Sequence, residues 1–146
     1  MLAQILVGAS VSTLDIIIHA LLTVSTIYAA RRVAAGKTLH PWLRLMAIMI
    51  ATVLVLMAAH TAEVFVWSVA YAFTNAAPEG SDLFYFAFVN YTTLGYGDIM
   101  PVARWRLLGP MAAMNGVLLF GWSTAVIFEV LRRALSQYGS LASTPD

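Results

Sequence analysis

Three runs of apolar residues decide what this chain can become. Residues 14–30 (extended back to about Val11), 42–73 and 107–131 carry few charged side chains. As α-helices rising 1.5 Å per residue, each is long enough to cross a hydrocarbon core of about 30 Å. With 61% of 146 residues hydrophobic and 10% charged, a water-soluble globule has no means of hiding the apolar surface. The predicted class is an all-α membrane protein with three transmembrane helices. The chain has no cysteine, which removes disulfide frameworks, thiol catalysis and cysteine-based metal sites. No basic patch suited to nucleic acid is present.

The first run ends at Arg31 and Arg32. Met1 to Ser10 lacks the basic residues that open a signal peptide, and no plain small-residue cleavage site follows the apolar core, so a retained helix is expected. Arg31 to Leu39 reads as a short basic loop with Gly36 as a helix stop beside Lys37, so that residues 1–41 form one unit of helix plus loop. Pro41 suits the first turn of the second helix, and Trp42 and Arg44 suit the membrane interface. At 42–73 this helix is longer than crossing requires. It is expected to tilt or protrude, with Trp67, Tyr71 and Phe73 as interfacial aromatics.

Residues 74–80 (TNAAPEG) turn the chain, and Ser81 or Asp82 can cap a short helix over 81–91, with Glu79 and Asp82 near its positive end. Such a helix spans only about 16 Å. It must therefore re-enter, with its backbone buried in protein and its negative end aimed at the bilayer centre, where it favours a dehydrating cation. Directly after it comes Thr92, Thr93, Leu94, Gly95, Tyr96, Gly97, Asp98. Bringing neighbouring carbonyls to one side of an extended strand requires alternating handedness, and Gly95 and Gly97 adopt positive φ at no steric cost. Ile99 to Arg106 is an outer loop. The third helix, 107–131, is closed by Arg132 and Arg133, and 134–146 is a short polar tail expected to fray.

The order helix, pore helix, TLGYGD, helix over about residues 42–133 resembles the pore of the tetrameric potassium channels, whose filter reads T-V-G-Y-G or T-I/L-G-Y-G followed by Asp. The resemblance implies that oxygens of Thr93, Leu94, Gly95 and Tyr96 replace the hydration shell of K+, with Thr92, Gly97 and Asp98 shaping and bracing the strand. It implies no cofactor beyond the permeant ion. One strand cannot coordinate an ion alone, so a homotetramer is expected, which also buries the re-entrant segment. Gly109, Ala112, Ala113, Gly116, Gly121 and Ala125 allow close helix approach. In the family the inner helix bends near a glycine, which makes Gly116 the candidate hinge, although a packing glycine reads the same in sequence. Arg31, Arg32, Lys37, Arg44, Arg132 and Arg133 fall on one side and only Arg104 and Arg106 on the other. Positive residues mark the cytoplasm, so the C-terminus is expected inside and the N-terminus and filter outside. The small size points to a prokaryotic inner membrane.

The chain departs from the family in the pore helix. Tyr85 and Phe86 stand where many relatives carry tryptophans, one of which donates to the filter Asp, so Asp98 needs another partner, Tyr85 or water. Val89 stands where some relatives place a buried Glu. No helix carries arginines at every third position, so there is no voltage sensor.

A second constellation is not accounted for by the filter. Asp15 and His19 are four apart on the first helix, and His60 and Glu63 are three apart on the second, so each pair shares a face and the heights allow all four to meet. Three readings are open: a neutral hydrogen-bonded clip between the helices, a proton or divalent-metal sensor behind the filter, and a catalytic site. Asn115, Ser123 and Thr124 can line the cavity below the filter or bond to neighbouring helices, Trp122 can narrow that cavity or anchor between subunits, and Glu129 is spaced for a surface ion pair with Arg132. The sequence thus favours a potassium-selective channel without catalysis. The rivals are a channel-like scaffold or sensor with weak or non-selective conduction, and a membrane metal-dependent enzyme built on Asp15, His19, His60 and Glu63.

Overall fold

The structure, a computed structural model, describes residues 1–35 and 40–142. The loop assigned to Gly36 and Lys37 and the last residues of the tail lie outside the described residues. The order is α1 (Leu2–Ala35), α2 (Pro41–Thr74), α3 (Leu83–Tyr91), a 3-10 turn at Ala103–Trp105, and α4 (Leu108–Ala142). There is no strand among the described residues, and three helices are long and apolar enough to cross a membrane. The all-helical membrane class is borne out.

Two helices run further than the hydropathy pattern predicts. α1 begins at Leu2 rather than near Val11. Its first turns contain no proline, and they are held against α4: Gln4 Oε1 accepts from the Leu107 N–H at 2.9 Å, one of the donors a helix start leaves unpaired. Gly8 sits inside α1 where a Cβ would run into Met111, so the glycine serves close approach to α4. At the other end, α4 continues through residues 134–142, which were expected to fray. Ala134, Leu135 and Gln137 are helix formers, and no proline interrupts before Pro145.

α2 closes with Asn75 in the left-handed conformation (φ 50°), the Ala76 N–H bonding Tyr71 O at 3.1 Å and the Asn75 N–H bonding Ala72 O at 3.3 Å. This is a Schellman closure with asparagine at the left-handed position. It turns the chain back so that α3 packs on α2. Trp67 and Tyr71, expected at the interface, are instead fully buried in the main core with Val64, Phe86, Tyr91, Leu108 and Ala112. The pore helix covers the face of α2 that sequence alone assigns to headgroups, whereas Phe73 does remain exposed. A smaller cluster of Ile48, Leu56, Val126 and Val130 joins α2 to α4 near their other ends.

Candidate functional site

The pore helix is shorter than expected, Leu83–Tyr91, because Asp82 is its cap. The Asp82 carboxylate accepts from the Phe84 and Tyr85 N–H groups, both at 3.0 Å. That satisfies two orphan donors and places a negative charge at the positive end. At nine residues, α3 cannot cross a bilayer. It buries Phe86, Ala87, Val89 and Tyr91 between α2 and α4.

Its C-terminus delivers the chain into TTLGYGD by a second Schellman closure. The Leu94 N–H bonds Val89 O at 3.0 Å and the Thr93 N–H bonds Asn90 O at 3.1 Å, with Thr93 itself at φ 60°. Glycine is usual there, and a β-branched residue in this region costs about 1–3 kcal/mol. The positive φ then recurs at every second residue: Thr93 at 60°, Gly95 at 64° and Gly97 at 76°. The sequence predicts the two glycines. It does not reveal Thr93, because nothing about a threonine signals a left-handed residue.

Thr92 to Asp98 are all exposed, and among the described residues no backbone hydrogen bond involves Gly95, Tyr96, Gly97 or Asp98. A strand of free peptide groups cannot face lipid, so it needs either water or protein from outside the chain. Behind it lies a cavity of about 400 Å³ lined by Val89, Asn90, Thr93, Gly95, Pro101 and Gly109, among others.

Asp98 finds its partner inside the chain. The Tyr85 hydroxyl donates to Asp98 Oδ2 at 2.8 Å, tying the first turns of the pore helix to the outer end of the strand. The same bond, with Asp98 as acceptor, pushes the Tyr85 phenol above its ordinary pKa. Tyr85 therefore takes the bracing position, while Phe86 is fully buried against Tyr71. Tyr85→Phe removes this charge-assisted bond at a solvent-accessible position. The expected result, for a strand that carries ions, is faster decay of current in bilayer recordings of the variant. Unchanged decay would mean that Asp98 is braced elsewhere.

The intramembrane constellation assembles in part. Glu63 Oε1 receives His19 Nδ1 at 2.8 Å, Glu63 Oε2 receives His60 Nδ1 at 2.9 Å, and the Tyr91 hydroxyl donates to Oε2 as well. His60 Nε2 and His19 Nε2 both face Ser123 Oγ, at 2.9 and 3.3 Å. Asp15 does not bond to the other three. One turn up from His19, it meets α4 instead and accepts from Asn115 Nδ2 at 2.6 Å. Asn115 and Ser123 thus bond to neighbouring helices, Trp122 lies edge-on to His19 at 5.5 Å, and Thr124 bonds its own Phe120 carbonyl. Glu129 pairs with Arg132 at 2.8 Å and with Arg133. Tyr91, which no sequence signal marked, joins this cluster to the end of α3, directly before Thr92.

Gly116 stands against the same residue. A Cβ there would lie 2.1 Å from the Tyr91 carbonyl oxygen, and α4 runs unbroken through the position. The structure gives this glycine a packing reason.

A family model described as "Ion channel" matches residues 55–133, more than half of the 146. It takes in most of α2, the pore helix, the exposed strand and α4 as far as Arg133, and leaves α1 outside. No curated protein and no solved structure matches the chain.

Proposed function

The chain belongs to this ion-channel family, and from that premise we propose that it conducts potassium passively, as a homotetramer, through a filter formed by Thr93, Leu94, Gly95 and Tyr96. The observation that carries the reading is the alternation of left-handed φ at Thr93, Gly95 and Gly97 along an exposed extended segment whose residues from Gly95 to Asp98 make no backbone hydrogen bonds among the described residues. Alternating handedness is what brings successive carbonyls to one side, and rings of carbonyls can substitute for water around a dehydrated cation. Four copies around an axis supply the remaining ligands and cover the strand. Thr92, Gly97 and Asp98 shape and hold its ends, the last through Tyr85. No catalytic step is required. The distribution of basic residues supports an outward-facing filter with the C-terminus in the cytoplasm.

The test is the reversal potential of purified protein in a planar bilayer under asymmetric potassium and sodium. A reversal potential near the potassium equilibrium value is expected. Current that does not discriminate potassium from sodium, or silence from a verified tetramer across a range of pH and voltage, would favour the non-selective or scaffold reading.

A further inference from the structure

The His19, His60 and Glu63 cluster lies outside the conduction pathway argued above, and the family match leaves one of its helices, α1, unexplained. We infer that it is a zinc-binding site that fastens α1 to α2 and to the end of the pore helix.

The donor set comes first. Two imidazole nitrogens and a carboxylate oxygen lie within 4.8 Å of one another, and two histidines with one glutamate are a set that zinc accepts, with a fourth position left for the Tyr91 oxygen or water. Zinc bonds of about 2.0–2.1 Å place tetrahedral ligand atoms about 3.3 Å apart. The two histidine-to-Glu63 contacts, at 2.8 and 2.9 Å, need only open slightly while the histidines draw together. His19 and Glu63 are fully buried, and His60, 16% exposed, leaves the approach.

The proton count comes second. If both Nδ1 atoms donate to Glu63, both Nε2 atoms are bare acceptors, yet both face one Ser123 hydroxyl that owns a single proton. One nitrogen lone pair is then left against oxygen. With an ion on the two Nδ1 atoms, the ring protons move to Nε2, and both donate to the two lone pairs of Ser123. A partner for the second ring nitrogen is the usual support of a metal-bound histidine.

Charge comes third. Asp15 and Glu63 are both fully buried, and their hydrogen bonds and ion pairs reach no lysine or arginine among the described residues. Asp15 Oδ1, one turn before His19 on the same helix, makes no full hydrogen bond and has only the Trp67 indole beside the carboxylate. A divalent ion with two neutral histidines compensates the Glu63 carboxylate, which an apolar surrounding would otherwise penalise heavily. Imidazole donors favour zinc over magnesium or calcium, which prefer all-oxygen sites.

The test uses the full-length protein in detergent, stripped with chelator, then dialysed against zinc and assayed for bound metal; cobalt is substituted in parallel for its visible spectrum. One ion per chain and the intense bands of tetrahedral cobalt are expected. His19→Ala and His60→Ala should each abolish binding, and Ser123→Ala should weaken it about 10- to 100-fold. Helix content and particle size show whether each variant is folded. Wild-type protein that takes up no zinc, or gives only the weak spectrum of octahedral cobalt, overturns the site and leaves a shared proton between the histidines as what closes the network. Stoichiometric binding that survives both histidine substitutions in folded protein overturns it equally. Neither readout depends on conduction.

Discussion

Gly95→Asp is expected to abolish potassium-selective flux while leaving the protein inserted and assembled. The cost does not arise within one chain: nothing but the Thr93 carbonyl oxygen, 3.7 Å away, lies near a Cβ built on Gly95. It arises from conformation and from the axis. Gly95 sits at φ 64°, where an L-residue pays about 1–2 kcal/mol, and in the proposed tetramer four strands pay it together for about 4–8 kcal/mol. That alone shifts the balance away from the conducting shape by on the order of 10³ or more. Four carboxylates would in addition crowd the narrowest part of the pathway and hold a cation too tightly for it to leave. Gly97→Ala, at φ 76° with open space around it, isolates the conformational part and should cost less. Radioactive rubidium or potassium uptake into proteoliposomes, against a sodium control, measures both. Retained selectivity in Gly95→Asp would remove this strand from the conduction pathway.

The all-helical membrane architecture was legible in the sequence because its causes are local. Uninterrupted apolar runs give the spans, TNAAPEG gives the turn and Asp82 gives the cap. What was not legible is what depends on packing between helices. The burial of Trp67 and Tyr71 follows from the pore helix lying on α2, a fact that no residue on α2 encodes. Asp15 was grouped with His19, His60 and Glu63 by height along the helices, but the rotation of α1 turns it to Asn115. Tyr91 reads as one more aromatic in YTTLGYGD, yet its hydroxyl reaches Glu63 while its carbonyl meets Gly116. Thr93 carries a left-handed backbone that follows from how the pore helix closes rather than from its side chain. In each case the pattern of one element was clear and its partner was not.

Gly116→Ala follows from that last contact, and it separates packing from hinging. The added methyl would sit 2.1 Å from the Tyr91 carbonyl oxygen, 3.0 Å from its carbon and 3.2 Å from its ring Cδ1. These are largely backbone atoms, so no rotamer change relieves the clash, and one helix has to move. α3 is the harder one to move. Tyr91 is fully buried, its hydroxyl is committed to Glu63, and the residue after it opens the proposed filter. α4 would have to back away, opening the core where Leu108 and Ala112 pack, at a cost of about 3 kcal/mol or more for overpacking against a fixed partner. The expected outcome is a marked fall in thermal stability in detergent and loss of the assembled species on gel filtration, together with lost selectivity. A glycine needed only for bending would behave differently, because alanine at a hinge stiffens α4 and changes how often the pore opens without touching assembly or melting. Wild-type stability with altered open probability would therefore assign Gly116 to gating. Unfolding or dissociation would assign it to holding the end of α3, and with it the first residue of the proposed filter, in place.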